Sequence, residues 1–371
     1  MAKIISLDEQ RLNKLPAGEL APQLIALPAR RRLDLLFERP DCAAVVAAMP
    51  AQDFFLTLKD APDADALVLL SLANREQLDH IIDIEGWEGD TVHPGRVLHW
   101  CAAMLAAGER PLLTWLYHAD FELLVTLFRQ WIELLPADED EDDKKGAPTR
   151  ETIDGVRFFA IRYPDYREVI LFMLRYLFEV HQPFYQELFW SIEAALPSEL
   201  AELAYQFHRG RLADNAIPDP EEAHTIYHPL FPYNIQTHEK FIDVVERPAG
   251  FALVQATTLD EETLLARALR MVPPGRIESL AQELTSLANK IVVADRLPVD
   301  EPESLRGAAA KAAATVNLGL ELYSGPAPDM GQASRVLEEV FLEDLFRLGH
   351  TAIHKTVAPL RTLTRTGWLS R

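Results

Sequence analysis

The segment GHTAIH places His350 and His354 four residues apart. On a helix, this spacing puts both imidazoles on one face, where they can bind the same metal ion. Glu343, two helical turns earlier, is a third candidate ligand. Zinc sites usually have a third protein ligand and a supporting shell of hydrogen bonds, and Thr351 stands where an HExxH motif has its glutamate. A pair of ordinary packing or surface histidines is therefore the favoured interpretation.

Oxygen ligands for Ca²⁺ or Mg²⁺ are concentrated in the segment IDIEGWEGD. Flexible, oxygen-rich loops are what these ions prefer. The spacing of the acids is not that of an EF-hand loop, so a solvated turn at a helix end, with Trp87 in the core, is favoured. The four candidate ligands are Asp83, Glu85, Glu88 and Asp90.

Asn289 and Lys290 interrupt the apolar run LTSLANKIVVAD. A buried lysine costs free energy unless it is paired, so it can mark a functional site. Asn317 and Glu321, one turn apart in NLGLE, are candidate partners. A structural polar network between two helices is favoured over a site, and a lysine that extends to solvent is an alternative.

Arg209, Arg211 and Asp214 surround Gly210 in FHRGRLAD. We expect Gly210 to end a helix, with the arginines near its carbonyl end. An anion pocket is the alternative. The sequence contains no Walker loop, Rossmann glycine pattern, nucleophile elbow or Cys-x-x-Cys pair, which favours a non-catalytic protein over an enzyme and predicts no cofactor.

The elements that would position these side chains begin with short helices between residues 24 and 135. Helix-starting residues recur at near-regular intervals: Pro28, Pro40, Pro50, Pro62 and then Asn74. Proline suits the first turn of a helix, and Asn caps its free amides. A helix of about ten residues is marginal alone and becomes stable when neighbours cover its apolar face. We predict a superhelix-like array of stacked short helices over residues 1–136.

Six successive acidic residues, Asp138 to Asp143, predict a solvated linker over 137–150. Asp154-Gly155 follows, between β-prone residues, and predicts a small hairpin near 152–163. The remainder, 151–371, is predicted as a larger helical domain, with a second hairpin possible between 228 and 259. The fold class is thus mainly α, with at most one or two small β-hairpins. Longer helices are predicted at 164–181, 183–195, 198–207, 220–227, 260–271, 275–294, 302–323 and 330–357.

Composition limits the classes of function. The net charge of −21 disfavours nucleic-acid binding. The two cysteines, Cys42 and Cys101, cannot form a disulfide framework. The N-terminus lacks signal-peptide features, and VILFMLRYLFEV is too short and too charged for a membrane span. We therefore expect a soluble cytoplasmic protein.

The C-terminal region is basic, unlike the rest of the chain. After Asp344 there is no acidic residue, whereas lysine and arginine recur: Arg347, Lys355, Arg361, Arg365 and Arg371. Such a partly amphipathic tail can contact an acidic surface, either on a partner or on this protein itself, and packing on the protein itself is favoured.

Two resemblances cover different parts of the chain. The segments RRRLDLLFERPD, ALVLLSLANREQLDHIIDIEGWEGD, FHRGRLADNAIPDPEEAHTIYHPL, LTSLANKIVVAD and FLEDLFRLGH together resemble a bacterial family of helical proteins, a domain of unknown function, which carries no established activity to transfer. Separately, AAVVAAMPAQDFFLTLKDAPDADALVLLSLANREQLDHIID is similar to the cytosolic N-terminal superhelix of MgtE-type magnesium transporters. That second resemblance implies magnesium sensing.

These observations lead to three functional hypotheses. The leading one is a scaffold or adaptor whose stacked helices bind another protein. The second is a divalent-cation or small-ligand sensor, which calorimetry with Mg²⁺, Ca²⁺ and Zn²⁺ would test. The third is an enzyme with an unfamiliar site, which predicts a deep pocket lined by Lys290, Glu321, His350 or His354.

Overall fold

The computed structural model describes residues 12, 14–136, 149–194, 196–215, 217–237, 240, 254, 260–299, 301–326 and 329–366, the last ten by backbone alone. Contacts divide the chain into two units, one with residues up to Gly18 and Leu33–Leu212, the other with Glu19–Arg32 and Ala213–Arg371. Within the described residues the fold is mainly α with two small antiparallel sheets, which confirms the predicted fold class. The predicted linker lies mostly on residues 137–148, outside the described residues. The division into 1–136, 137–150 and 151–371 therefore stays a prediction.

Among the described residues, twelve helices lie between residues 17 and 214, and each of the first six has 11 residues or fewer. In chain order they are α1 (Ala17–Leu20), α2 (Ala29–Phe37), α3 (Cys42–Ala47), α4 (Ala51–Lys59), α5 (Asp63–Leu72), α6 (Arg75–Glu85), α7 (Pro94–Ala107), α8 (Glu109–His118), α9 (Phe121–Trp131), α10 (Arg167–Val180), α11 (Gln182–Ala194) and α12 (Pro197–Asp214). Turns of 3-10 helix occupy Ala21–Ala26 and Pro164–Tyr166.

The predicted helix starts are present. Pro50 and Pro62 immediately precede α4 and α5. Asn74 precedes α6 and forms a capping box, in which the Gln77 amide N–H donates to the Asn74 side chain and the Asn74 amide N–H donates to the Gln77 side chain. The box satisfies amides that the first helical turn leaves without a partner.

The short helices bury their apolar faces against one another. Each packs against the helix two places further on: α3 on α5, α4 on α6, α5 on α7 and α6 on α8. Phe54 and Phe55 of α4 and Ile81 of α6 are completely buried as a result. Stacking of this kind gives short helices the core that none of them has alone.

The sheets are small. Strands β1 (Trp87–Glu88) and β2 (Thr91–Val92) form one hairpin, and β3 (Ile132–Leu135), β4 (Glu151–Thr152) and β5 (Phe158–Ile161) form a sheet in the order β3-β5-β4. The β4–β5 hairpin confirms the one predicted near 152–163. At its turn Gly155 has a φ of 72°, and the Asp154 carboxylate accepts hydrogen bonds from the Val156 and Arg157 amides. The β1–β2 hairpin was not predicted, because two-residue strands leave too little alternation to recognise.

The second unit contains α13 (Pro220–His224), α14 (Leu264–Leu269), α15 (Pro274–Ala294), α16 (Pro302–Ser324), α17 (Met330–Glu339) and α18 (Leu342–Thr366), with 3-10 turns at Thr225–Tyr227 and Pro232–Asn234. The prediction of one helix over 330–357 is wrong, because Val340 is extended. The Glu283 carboxylate accepts from the Leu342 amide at the start of α18, and Lys240 donates to Glu283 and to the Leu337 carbonyl. The second predicted hairpin lies largely outside the described residues.

Helices α16 and α18 cross at two glycines. A Cβ atom added to Gly319 would overlap the backbone of Leu345, and one added to Gly349 would overlap the backbone of Thr315. Both conflicts are with backbone atoms, which a change of rotamer cannot relieve. The two helices can approach this closely only because neither glycine has a side chain.

We expect Gly319→Ala to lower the free energy of unfolding by about 2–3 kcal/mol, because the added methyl forces the helices apart. Urea unfolding followed by circular dichroism measures the change. Gly307→Ala, on the same helix with open space around it, is the matched control. It should be neutral or stabilising by up to about 1 kcal/mol, since alanine favours helix. Equal effects of the two substitutions would contradict the close crossing.

Candidate functional site

A buried cluster of charged side chains in the first unit centres on Asp83, which is only 3% exposed. Arg211 donates to both of its carboxylate oxygens, at 2.8 Å each, and Nδ1 of His208 lies 3.1 Å from Oδ1. Arg211 also pairs with Asp120. A buried carboxylate is costly unless it is paired and hydrogen-bonded, and the two-pronged arginine contact is the geometry that meets this need best.

Three elements and one hairpin bring the cluster together. Asp83 lies near the end of α6, and Asp120 immediately precedes α9. On α12, His208 and Arg211 are three residues apart and so lie on one face. The Trp87 ring of β1 stacks on His208 at 4.3 Å between ring centroids, with 7° between the planes.

A small cleft adjoins the cluster, with a cavity volume of about 10 Å³, which is room for about one water molecule. Asp79 and Arg75 of α6, Trp115 and His118 of α8, and Arg211 are among its lining residues. Asp79 is mostly buried and has one long ion pair, 3.3 Å, to Arg75. Burial raises the pKa of Asp79 to about 6, although Arg211 and Arg75 act in the opposite direction.

The pKa of the neighbouring carboxylate, Asp83, is shifted in the opposite direction from that of Asp79. Burial raises the pKa of Asp83, but the hydrogen bonds from Arg211 and His208 outweigh it and leave the pKa below its ordinary value. His80, also on α6, is completely enclosed and contacts Gln52, and its burial lowers the pKa to about 4. At neutral pH the cluster therefore contains a charged Asp83 and a neutral His80.

The acids of IDIEGWEGD do not converge. Asp83 faces His208 and Arg211, whereas Glu85 pairs with Lys59 at 2.7 Å. Glu88 lies 3.5 Å from Arg96, and Asp90 accepts from the Thr91 hydroxyl. Among the residues that the structure describes, no group of three or more His, Cys, Asp and Glu side chains is placed to hold a metal ion.

Lys290 has partners other than the predicted one. Its ammonium group contacts Glu343 at 2.9 Å and Glu222 at 3.1 Å, so the proposed pairing with Glu321 is wrong. Asn317 instead donates to Glu321 and accepts from the Leu265 amide, and Asn289 is buried on α15. These contacts join helices within the second unit. The favoured interpretation, a structural network, stays a prediction.

His350 and His354 lie near each other, with 6.3 Å between ring centroids. Glu343 is paired with Lys290, so it is not aligned with the histidines as a third ligand. His350 instead packs 4.7 Å from the ring of Tyr227. Burial, His354 and Lys311 lower the pKa of His350, which favours its neutral form.

The expectation for Gly210 is wrong, because α12 continues through it to Asp214. Arg211, which pairs with Asp83 and Asp120, therefore lies within the helix and binds carboxylates rather than helix carbonyls. Sequence reasoning singled out Arg211 and Asp83 separately and did not join them. A usable signal was present: His208 and Arg211 continue the apolar stripe of Leu200 and Ala204, where a polar residue needs a buried partner.

Fold and site together define a mainly helical protein with buried ion pairs. A family described as "Family of unknown function (DUF6178)" matches residues 9–371, and the chain belongs to this family. This confirms the resemblance to a helical family of unknown function. No curated protein and no solved structure matches the chain, and the resemblance to MgtE-type transporters is not confirmed. Within the described residues, every helix is too short or too polar to span a bilayer.

We expect Arg211→Met to lower the free energy of unfolding by about 3–5 kcal/mol, because it leaves the Asp83 charge buried without its main partner. Chemical unfolding measures this loss. Arg209→Met, an exposed arginine on the same helix, should change it by no more than about 0.5 kcal/mol. Adding Asp83→Asn to Arg211→Met should recover part of the loss, since the unpaired charge is then removed. Full additivity of the two substitutions would contradict the pairing.

The adjacent Asp79 and His80 predict opposite pH dependences of stability. The folded-state pKa of Asp79, about 6, exceeds its ordinary 3.8, so the folded state gains protons and stability as pH falls from 6 towards 4. The folded-state pKa of His80, about 4, lies below its ordinary 6.5, so stability is lost over the same range. Relative to the wild type, Asp79→Asn should lose stability and His80→Gln should gain it between pH 6.5 and 4.5. Urea midpoints at several pH values measure both slopes, and slopes of the same sign would contradict the assignment.

Proposed function

We propose that the protein is a non-catalytic scaffold or adaptor that holds another protein against the outer face of α12. The observation that carries this proposal is the division of α12 into two apolar faces. Leu200, Ala204 and His208 are buried within the first unit. Leu203 and Phe207, one turn apart, remain 41% and 46% exposed.

The spacing supports a binding surface rather than scattered surface residues. Residues four apart on a helix lie side by side, so Leu203 and Phe207 form one apolar strip. Leu196, seven residues before Leu203 and directly before the helix, is also exposed. Polar side chains, Glu202 and Gln206 among them, flank the strip. An apolar centre with an aromatic residue and a polar rim is the usual composition of a protein–protein interface.

The fixed inner face of α12 adds to this argument. Arg211 and His208 bind Asp83, which anchors the helix at its C-terminal half. A partner that docks on a helix already held in place loses less conformational freedom than one that must order it. The cation-sensor and enzyme hypotheses stay predictions, and the internal pairing of their candidate residues does not favour either.

Affinity capture from a lysate of the source cells tests the proposal. We expect the wild-type protein to recover a partner repeatedly, and the double variant Leu203→Asp with Phe207→Asp to recover at least about tenfold less, because two charges replace the apolar strip. Leu67→Asp with Val68→Asp on α5 is the matched control, since both of its side chains are similarly exposed. Circular dichroism checks that all three fold. No repeated partner, or equal loss with the control, would contradict the proposal.

A further inference from the structure

A basic surface lies on α18 of the second unit. Arg347, His350 and His354 follow one another at steps of three and four, so they share a face of the helix. Lys355 is exposed beside them. In the sequence, Arg361 and Arg365 follow His354 at steps of seven and four. No acidic residue follows Asp344, in a chain whose net charge is −21. The described cations of this surface are Lys355 and Arg347, and Arg347 also pairs with Asp344 at 3.6 Å.

Aromatic side chains extend this surface. Residues 228–230 are held against α18 by two hydrogen bonds. The Leu230 amide donates to the Thr351 hydroxyl, and Arg347 donates to the His228 carbonyl. The Lys355 ammonium lies 4.4 Å from the centroid of the Phe231 ring. Tyr233 stacks on Phe231 with 4° between the ring planes and is 83% exposed.

We propose that this basic–aromatic face, defined by Arg347, Lys355 and Tyr233, docks a short acidic segment of a partner protein that carries an aromatic or proline residue. The cations supply charge complementarity to carboxylates, and the exposed Tyr233 ring supplies an apolar platform. Tyrosine and arginine are among the residues enriched at protein interfaces. The proposal concerns a surface other than α12 and does not depend on it.

The charge distribution favours a short peptide over an extended polyanion. Nucleic acid or an anionic bilayer would present negative charge well beyond this face, to a chain that is itself strongly acidic. A peptide of a few residues contacts the basic face alone, and repulsion from more distant charges is screened over about 8 Å at physiological salt. Insertion of α18 into a bilayer is also disfavoured, since Leu345, Phe346 and Leu348 are buried in the unit.

Fluorescence anisotropy with the full chain tests the proposal. The probe is a labelled twelve-residue peptide of alternating Glu and Asp with one central Tyr. We expect saturable binding that weakens between about 50 and 300 mM salt, as binding through exposed charges must. A matched peptide of Gln and Asn with the same Tyr should not bind, and the acidic peptide without Tyr should bind more weakly.

Two variants assign the binding to this face. Lys355→Glu and Tyr233→Ala should each weaken binding about fivefold or more. Arg270→Glu, an exposed cation elsewhere in the second unit, and Tyr117→Ala, an exposed tyrosine of the first unit, are the matched controls and should stay within about twofold. All four side chains are exposed, so folding should be unaffected, which circular dichroism checks.

Four outcomes would overturn the proposal. They are absence of saturable binding of the acidic peptide, equal binding of the neutral peptide, equal weakening by the control substitutions, and tighter binding of oligo(dT) or phosphatidylserine vesicles than of the acidic peptide. The last would assign the face to a nucleic acid or a membrane instead.

Discussion

The burial of one carboxylate constrains the architecture of the first unit. Asp83 is shielded from water and has a lowered pKa, so it remains charged in the folded protein. A charge in that position is tolerable only while Arg211 and His208 stay within hydrogen-bonding distance. Those residues belong to α12, and Arg211 also reaches Asp120 at the start of α9. The requirement to satisfy Asp83 thus fixes where α12 lies against α6 and α9.

The same cluster shows how groups suited to catalysis can have a structural role. An aspartate that contacts a histidine is the arrangement that orients a general base in many hydrolases. Here the aspartate is shared with an arginine, and the histidine is stacked under Trp87. A general base must reach a substrate proton, and a buried ring covered by an indole is poorly placed for that. The geometry is better suited to holding helices together than to general-base catalysis.

Features that depend on neighbouring residues could be predicted from the sequence. The Asn74 cap, the prolines before α4 and α5, and the turn at Asp154-Gly155 each involve a few adjacent residues whose backbone preferences are strong.

Pairings between residues far apart in the sequence could not be predicted. Arg211 is 128 residues from Asp83, and Lys290 is 53 residues from Glu343. Periodicity indicates that such polar residues are buried, but several carboxylates satisfy the same pattern. The break between α17 and α18 was missed for the same reason, since Glu283, which caps α18, comes from another helix.

Both units hold their main helices by the inner face and leave an outer face exposed. In the first unit the anchor is the ion pair of Arg211 with Asp83, and in the second it is the glycine crossing of α16 and α18. These anchors differ in their response to pH, because an ion pair depends on the protonation of its partners whereas close packing of two helices does not. Each anchored helix also carries exposed aromatic or basic residues, Phe207 on α12 and Lys355 on α18. A helix that is already held by its inner face loses less conformational entropy when a partner binds its outer face. The anchoring contacts in the core therefore also favour binding at the two proposed surfaces.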